Sequence, residues 1–250
     1  VMISEVTSHG SLFDGNDGND EDLKILDLAT GTADVAILFA KEYQNYKSSG
    51  SRGSQSRNLR ILGVDPSQNM INVGREKVSK ENLADQITLE LGDARNLYEL
   101  HDDTFHAATM SFGIRNVPEK EKALCEIHRV LHKEEDGHKV GGKLSILEFS
   151  EPGEDAGIMG AGARFFIRHV VPVVGALLSG APREYMHLQN SIKEFPSPKE
   201  FAALIEGVRC KSGDGGDGSS PRVGSYRVDD LIQLNFGSVQ LYLATPIYTN

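Results

Sequence analysis

Asp27, Gly31 and Asp34 stand at the end of an apolar stretch, in the run Ile25-Leu26-Asp27-Leu28-Ala29-Thr30-Gly31-Thr32-Ala33-Asp34. The pattern predicts a buried strand from Lys24 to Leu28, a glycine turn, and a helix that starts near Asp34. A dinucleotide loop needs G-x-G-x-x-G so that backbone N–H groups can approach a pyrophosphate at a helix N-terminus. Gly31 alone does not meet that requirement. Carboxylates at Asp27 and Asp34 repel a pyrophosphate and attract a nucleoside that carries ammonium and sulfonium charges. S-adenosylmethionine is the common ligand of that kind, so the loop points to methyl transfer rather than hydride transfer. Its bland alternative is an ordinary strand-turn-helix capped by Asp34.

Further polar residues close further strands. Arg60 to Val64 reads as a strand ending at Asp65, with Pro66-Ser67 opening a helix through Met70, Val73 and Val78. Ile87 to Leu91 ends in Gly92-Asp93-Ala94, and Ala107 to Met110 ends at Ser111. Asp65 suits a pair of ribose hydroxyls, while Asp93 and the Ala94 N–H suit the edge of an adenine. Each Asp alone is also a common cap or turn former; their recurrence at successive strand ends favours a ligand site.

The elements that must position these residues alternate. Helices are expected over Val35 to Tyr46, with Val35, Leu38, Phe39, Glu42 and Tyr43 at helical spacing, and over Glu119 to Leu131, with Ala123, Leu124, Ile127 and Leu131 on one face. Lys143 to Glu148 is a fifth strand. Val228 to Asn235 and Val239 to Thr245 form a closing antiparallel pair around Gly237. This order predicts a doubly wound, mostly parallel α/β sheet with ligands at the strand carboxyl ends. Residues 1–22 read as a flexible lead-in and 23–250 as one domain, with a helical elaboration at 153–206, a short helix from Pro198 to Glu206, and a low-complexity insertion at 211–222.

Composition narrows the function. The 250 residues carry 26 basic against 36 acidic side chains, a formal net charge of −10, which provides no footprint for nucleic acid. Cys125 and Cys210 are far apart in sequence and lack a nearby ligand, so neither a zinc site nor a disulfide is expected, only thiols in a reducing compartment. The apolar run Phe165 to Leu178 is broken by Arg168 and His169 and is shorter than the roughly 20 residues that span a bilayer. The first residues show no signal-like pattern.

Beyond these readings, Leu26-Asp27-Leu28-Ala29-Thr30-Gly31-Thr32, Gly63-Val64-Asp65-Pro66, Ser111-Phe112-Gly113-Ile114-Arg115-Asn116-Val117 and Arg129-Val130-Leu131 resemble the ubiquinone/menaquinone biosynthesis C-methyltransferases. Gly141-Gly142-Lys143-Leu144, Leu147-Glu148-Phe149-Ser150 and Ser191-Ile192-Lys193-Glu194-Phe195-Pro196 extend the resemblance, which runs from about Lys24 to about Ala244. It implies a Rossmann-like class I methyltransferase: a seven-stranded, mostly parallel sheet with a C-terminal antiparallel strand and a helical insertion over the active site. The implied reaction is S-adenosylmethionine-dependent C-methylation of a polyprenylated benzoquinol or naphthoquinol ring, without a metal. By motif position, Thr32 and Asp65 match the methionine-side and ribose contacts, Asp93 and Ala94 the adenine-side pair, and Ser111 a further cofactor contact. Arg115 and Asn116 match the pair beside the acceptor.

Alkylating a ring carbon needs electron density from an ionised hydroxyl whose ordinary pKa is about 10. A guanidinium with pKa above about 12 is a poor proton acceptor. Arg115 therefore reads as the group that stabilises the developing oxyanion, and Asn116 as the one that orients the ring or a proton-accepting water. The alternative for Arg115 is a salt bridge that holds the loop after the strand. The helix Arg164 to Leu178 is core packing or the wall of an apolar tail tunnel, with His169, His187 and Tyr185 as nearby polar groups. Ala33 stands where the family has glycine, and if φ is positive there it costs on the order of 1 kcal/mol.

The resemblance further implies peripheral contact with the mitochondrial inner membrane on its matrix side, or with a plastid membrane, and a homodimer or a place in a quinone-biosynthesis complex. Competing readings are a non-catalytic methyltransferase-fold scaffold, a methyltransferase of another small phenol, and an NAD-dependent oxidoreductase, which the single glycine and the loop carboxylates disfavour.

Overall fold

The computed structural model describes residues 22–48, 57–133, 141–150, 194–211 and 222–249. Eight strands form one sheet in the order β3-β2-β1-β4-β5-β8-β7-β6. They are β1 (Leu23–Leu28), β2 (Leu59–Asp65), β3 (Ile87–Leu91), β4 (Ala107–Ser111), β5 (Lys143–Phe149), β6 (Cys210–Lys211), β7 (Val223–Leu234) and β8 (Val239–Thr249). The first five pair in parallel, and β8, β7 and β6 join antiparallel. The helices are α1 (Asp34–Ser48), α2 (Gln68–Lys80), α3 (Lys120–Val130) and α4 (Pro198–Gly207).

The period-2 alternation of the strands feeds two cores. Leu26 and Leu28 of β1 pack on one side with Leu124 and Ile127 of α3 and Phe201 and Ile205 of α4. Leu23 and Ile25 pack on the other with Ala36 and Phe39 of α1 and Ile71 and Val78 of α2. The sheet is therefore the middle layer of three, which buries both faces as continuous apolar strands require. Capping residues fix two helix starts: Ser67 accepts from Met70 N ahead of α2, and Ser197 with Glu200 forms a capping box ahead of α4.

Four expectations need correction. The sheet has eight strands rather than seven, because the two-residue β6 pairs with β7 at the edge. The closing hairpin is longer than periodicity suggested: β7 begins at Val223, and Asn235–Gly237 is a 3-10 turn. On α1 the buried face is Ala36, Ile37, Phe39, Ala40 and Tyr43, whereas Leu38 is exposed. Cys125 and Cys210 form a disulfide with Cα atoms 5.1 Å apart, because the chain after α4 returns along α3; a sequence separation of 85 concealed the pairing. The lead-in, the apolar stretch Phe165 to Leu178, most of the helical elaboration and the low-complexity insertion lie outside the described residues.

Candidate active site

The carboxyl ends of β1, β2 and β4 lie side by side, with Asp27 in register with Gly63 on one neighbour and Thr109 on the other. The turn after β1 is tightly wound: Ala29, Gly31 and Ala33 have φ of 51°, 56° and 64°. Glycine adopts this region freely, whereas an L side chain pays steric strain of about 1 kcal/mol there. Ala33 thus has the positive φ that its replacement of glycine made critical, and it is fully buried. A Cβ built on Gly31 would meet nothing within 4 Å, so this face of the turn opens outward.

Asp65 ties the turn to β2. Its Oδ2 accepts the Gly31 N–H at 2.9 Å and its Oδ1 accepts the Ser67 N–H at 2.8 Å. A carboxylate has about four acceptor sites, and these two N–H groups occupy two of those of Asp65. Asp27 lies deeper, 2 % exposed, and accepts from Thr30 Oγ1 at 2.6 Å and Thr109 Oγ1 at 2.7 Å. Burial raises its pKa to about 6 against the lowering effect of those two hydroxyls.

Both carboxylates of the turn have partners within the protein. Asp27 is an internal anchor between the turn and β4. Asp34 accepts from Thr32 Oγ1 at 2.7 Å and pairs with Lys77 Nζ of α2 at 3.0 Å, and Lys77 also donates to Thr32 Oγ1. The Thr32 hydroxyl pulls the Asp34 pKa down against the opposing push of burial, and Lys77 adds to the lowering. Asp93 is likewise engaged: Arg95 grips both of its oxygens, with Nη2 to Oδ2 at 2.6 Å, and also reaches Glu119. Ala94, next to it, packs against the core on the α3 side.

Beyond β4, Ser111 is in register with Leu147, and Phe112 has a φ of 55°. A Cβ on Gly113 would come within 2.5 Å of the Ala29 Cβ, so the loop can pass the β1 turn closely only with glycine there. Ile114–Asn116 is a 3-10 turn that leaves Asn116 exposed and directs Arg115 inward, 9 % exposed at its side chain. Arg115 Nη1 is paired with Glu148 Oε1 of β5 and donates to Phe112 O at 2.8 Å. Glu148 is fully buried and also accepts from the Arg115 N–H and the Phe149 N–H. Burial raises its pKa, and Arg115 opposes the rise. Phe149 stacks on Phe112 at 4.4 Å and lies 5.5 Å from the guanidinium.

The structure thus brings Asp27, Gly31, Thr32, Asp34 and Asp65 together at one end of the sheet, with Arg115 on the loop of the adjoining strand. Glu148 is the residue that sequence reasoning passed over. Its signal was an acidic residue at the inner end of the central strand Lys143–Phe149, directly after Ile146-Leu147, where a buried carboxylate requires a partner. Among the described residues no group of His, Cys, Asp and Glu could hold a metal ion.

The profile of the ubiE/COQ5 methyltransferase family matches residues 12–214. The chain is 37% identical over 187 residues to the ubiquinone/menaquinone biosynthesis C-methyltransferase UbiE of Geobacter sulfurreducens, covering 74% of this chain and 63% of that protein. It is 35% identical over 222 residues to the demethylmenaquinone methyltransferase of Bacteroides fragilis, covering 89% of this chain and 75% of that one. Among solved structures, Haemonchus contortus phosphoethanolamine N-methyltransferase 1, in complex with phosphoethanolamine and S-adenosylhomocysteine, superposes with a TM-score of 0.54 at 10% identity. That likeness covers 92% of this chain and 40% of the other, and it concerns the fold alone.

Proposed function

The chain belongs to the ubiE/COQ5 methyltransferase family, and from that membership we propose that it C-methylates the ring of a polyprenylated quinol, of the 2-methoxy-6-polyprenyl-1,4-benzoquinol or demethylmenaquinol type, with S-adenosylmethionine as methyl donor. The observation that carries the reading is the arrangement of two anchored groups at adjoining strand ends in a chain of this family. Asp65 holds the Gly31 turn, and Arg115 is held by buried Glu148. The open face of Gly31 and the acceptor capacity of Asp65 fit a nucleoside there.

S-adenosylmethionine, when bound, supplies an electrophilic methyl group on a sulfonium. Asp65 would hold the ribose hydroxyls, Asp93 and the Ala94 N–H the adenine edge, and Thr32 and Ser111 further parts of the nucleoside. Asp27 and Asp34 shape the turn that presents these groups. Arg115 stabilises negative charge on the acceptor's ring oxygen, and a fixed donor of this kind needs no reorganisation as that charge develops. Asn116, exposed beside it, orients the ring or a water that takes the proton. Holding ring and donor together supplies the rest by proximity.

Lipophilic acceptors reside in membranes, so peripheral attachment is part of the proposal, at the mitochondrial inner membrane or in a plastid, as is membership of a dimer or a quinone-biosynthesis complex. The named relatives are bacterial. No helix among the described residues is long and apolar enough to cross a membrane. The left-handed Ala33 favours one second reading, a scaffold that keeps the fold with weakened cofactor binding.

Calorimetric titration with S-adenosylhomocysteine, followed by transfer of labelled methyl groups to a short-chain quinol, tests the proposal. Micromolar binding with ring methylation supports it. Binding without methylation of any quinol rejects the acceptor, and absence of binding by folded protein rejects the methyltransferase reading in favour of the scaffold.

A further inference from the structure

We propose that Glu148 is a positioning residue for the reaction, its buried carboxylate fixing the Arg115 guanidinium so that the Nε edge is presented to a ring hydroxyl of the acceptor. The inference rests on the methyltransferase reading above and adds to it the residue on which Arg115 depends. Glu148 is held by three donors: the Arg115 guanidinium, the Arg115 N–H and the Phe149 N–H. Arg115 is in turn restrained by Phe112 O and by the Phe149 ring. Each partner thus has a restraint besides the other, the Phe149 N–H on Glu148 and Phe112 O on the guanidinium, which limits the freedom of the pair.

A pair serving stability alone would have its donors satisfied, since an orphaned buried donor is costly. Here the Arg115 Nε is buried without a partner among the described residues. On the same face of the sheet, Gln240 lies opposite Glu148 and Tyr242 lies opposite Ile146. Gln240 Oε1 and the Tyr242 hydroxyl are also buried without partners among the described residues. One donor on the anchored cation, and one acceptor and one hydroxyl on the strand that pairs with that of Glu148, are therefore without partners among the described residues. Phenolic hydroxyls, and the water that exchanges protons with them, supply both a donor and an acceptor and so match this set.

The test compares Glu148→Gln, Glu148→Asp and Arg115→Lys by steady-state kinetics, S-adenosylhomocysteine titration and arginine side-chain ¹⁵N NMR. A loosened fork should lower kcat about 100-fold in Glu148→Gln, with acceptor KM and S-adenosylhomocysteine affinity near wild type and partial recovery in Glu148→Asp. The Arg115 Nε–H resonance, assigned by its loss in Arg115→Lys, should exchange slowly in the wild type and shift when a naphthohydroquinone is added. Near wild-type kcat in Glu148→Gln overturns the proposal whatever happens to Tm, as does an Nε–H signal indifferent to the hydroquinone. If the wild type binds S-adenosylhomocysteine yet methylates no quinol, the acceptor assignment fails. The response of Nε–H to the hydroquinone then decides the positioning role by itself. Should Glu148→Gln not fold, Glu148→Asp and the wild-type spectrum carry the same decision.

Discussion

Asp65 accepts the Gly31 N–H at 2.9 Å through one oxygen and the Ser67 N–H at 2.8 Å through the other. One carboxylate thereby joins the turn after β1, the end of β2 and the start of α2. An alanine at this position removes the acceptor for both N–H groups, and an asparagine must turn its NH2 toward one of them. Asp65→Ala and Asp65→Asn should each weaken S-adenosylhomocysteine binding at least about tenfold, equivalent to about 1.4 kcal/mol. Calorimetric titration checks this, and wild-type affinity in either variant would contradict the ribose assignment.

Ala33 has a φ of 64° and a buried side chain, with its Cβ facing Gly74 of α2. Glycine relieves strain of about 1 kcal/mol but sacrifices the packing of one methyl group. Ala33→Gly should therefore leave Tm unchanged within a few degrees while retaining or improving S-adenosylhomocysteine affinity. Ala33→Val places a β-branched residue in the left-handed region and should lower stability by more than about 2 kcal/mol, measured by urea unfolding.

Mild acid should destabilise the fold through two histidines. Burial lowers the pKa of both His106 and His128 to about 4, so the unfolded chain, with a histidine pKa near 6.5, binds these protons more readily. Stability present above pH 6.5 is lost as pH falls toward 4, on the order of 2 kcal/mol per histidine by pH 5. Asp27 acts in the opposite sense: its folded pKa of about 6 lies above the ordinary 3.8, so protonation favours the folded state as pH falls through 6. That offset is about 1 kcal/mol at pH 5. Unfolding free energy from pH 7 to pH 5 should decline, and Asp27→Asn should make the decline steeper.

The Cys125–Cys210 disulfide links α3 to the edge strand β6 and closes a loop with a sequence separation of 85. Removing a cross-link of this kind typically costs about 2–4 kcal/mol, chiefly through a less restricted unfolded chain. Cys125→Ser should lower Tm in the absence of reductant and have no comparable effect in its presence. Alkylation of the unfolded wild type followed by mass measurement should find modified thiols only after reduction.

Most of the fold was legible in the chain itself. The strand Ile87–Leu91 was read with its observed ends, and Lys24, Lys143 and Pro198 marked element starts to within a residue. Apolar runs, helical spacing and the Pro and Ser at helix starts act locally, over a turn or a strand. The strand-end acids were visible for the same reason, because a parallel sheet places successive strand ends together. The partners of those acids were not visible. Thr109 reaches Asp27 across 82 positions, Lys77 reaches Asp34 across 43, and Glu148 reaches Arg115 across 33. The disulfide was hidden in the same way.

The sequence by itself determined which side chains stand at the strand ends, because alternation and turn chemistry are short-range properties. Only the tertiary structure decided which of them are already engaged. A carboxylate's charge, exposure and pKa depend on what long-range packing places beside it. Asp27 thus became an anchor, Asp34 a partner of Lys77, Asp65 the tie between the β1 turn and the start of α2, and Glu148 the support of Arg115.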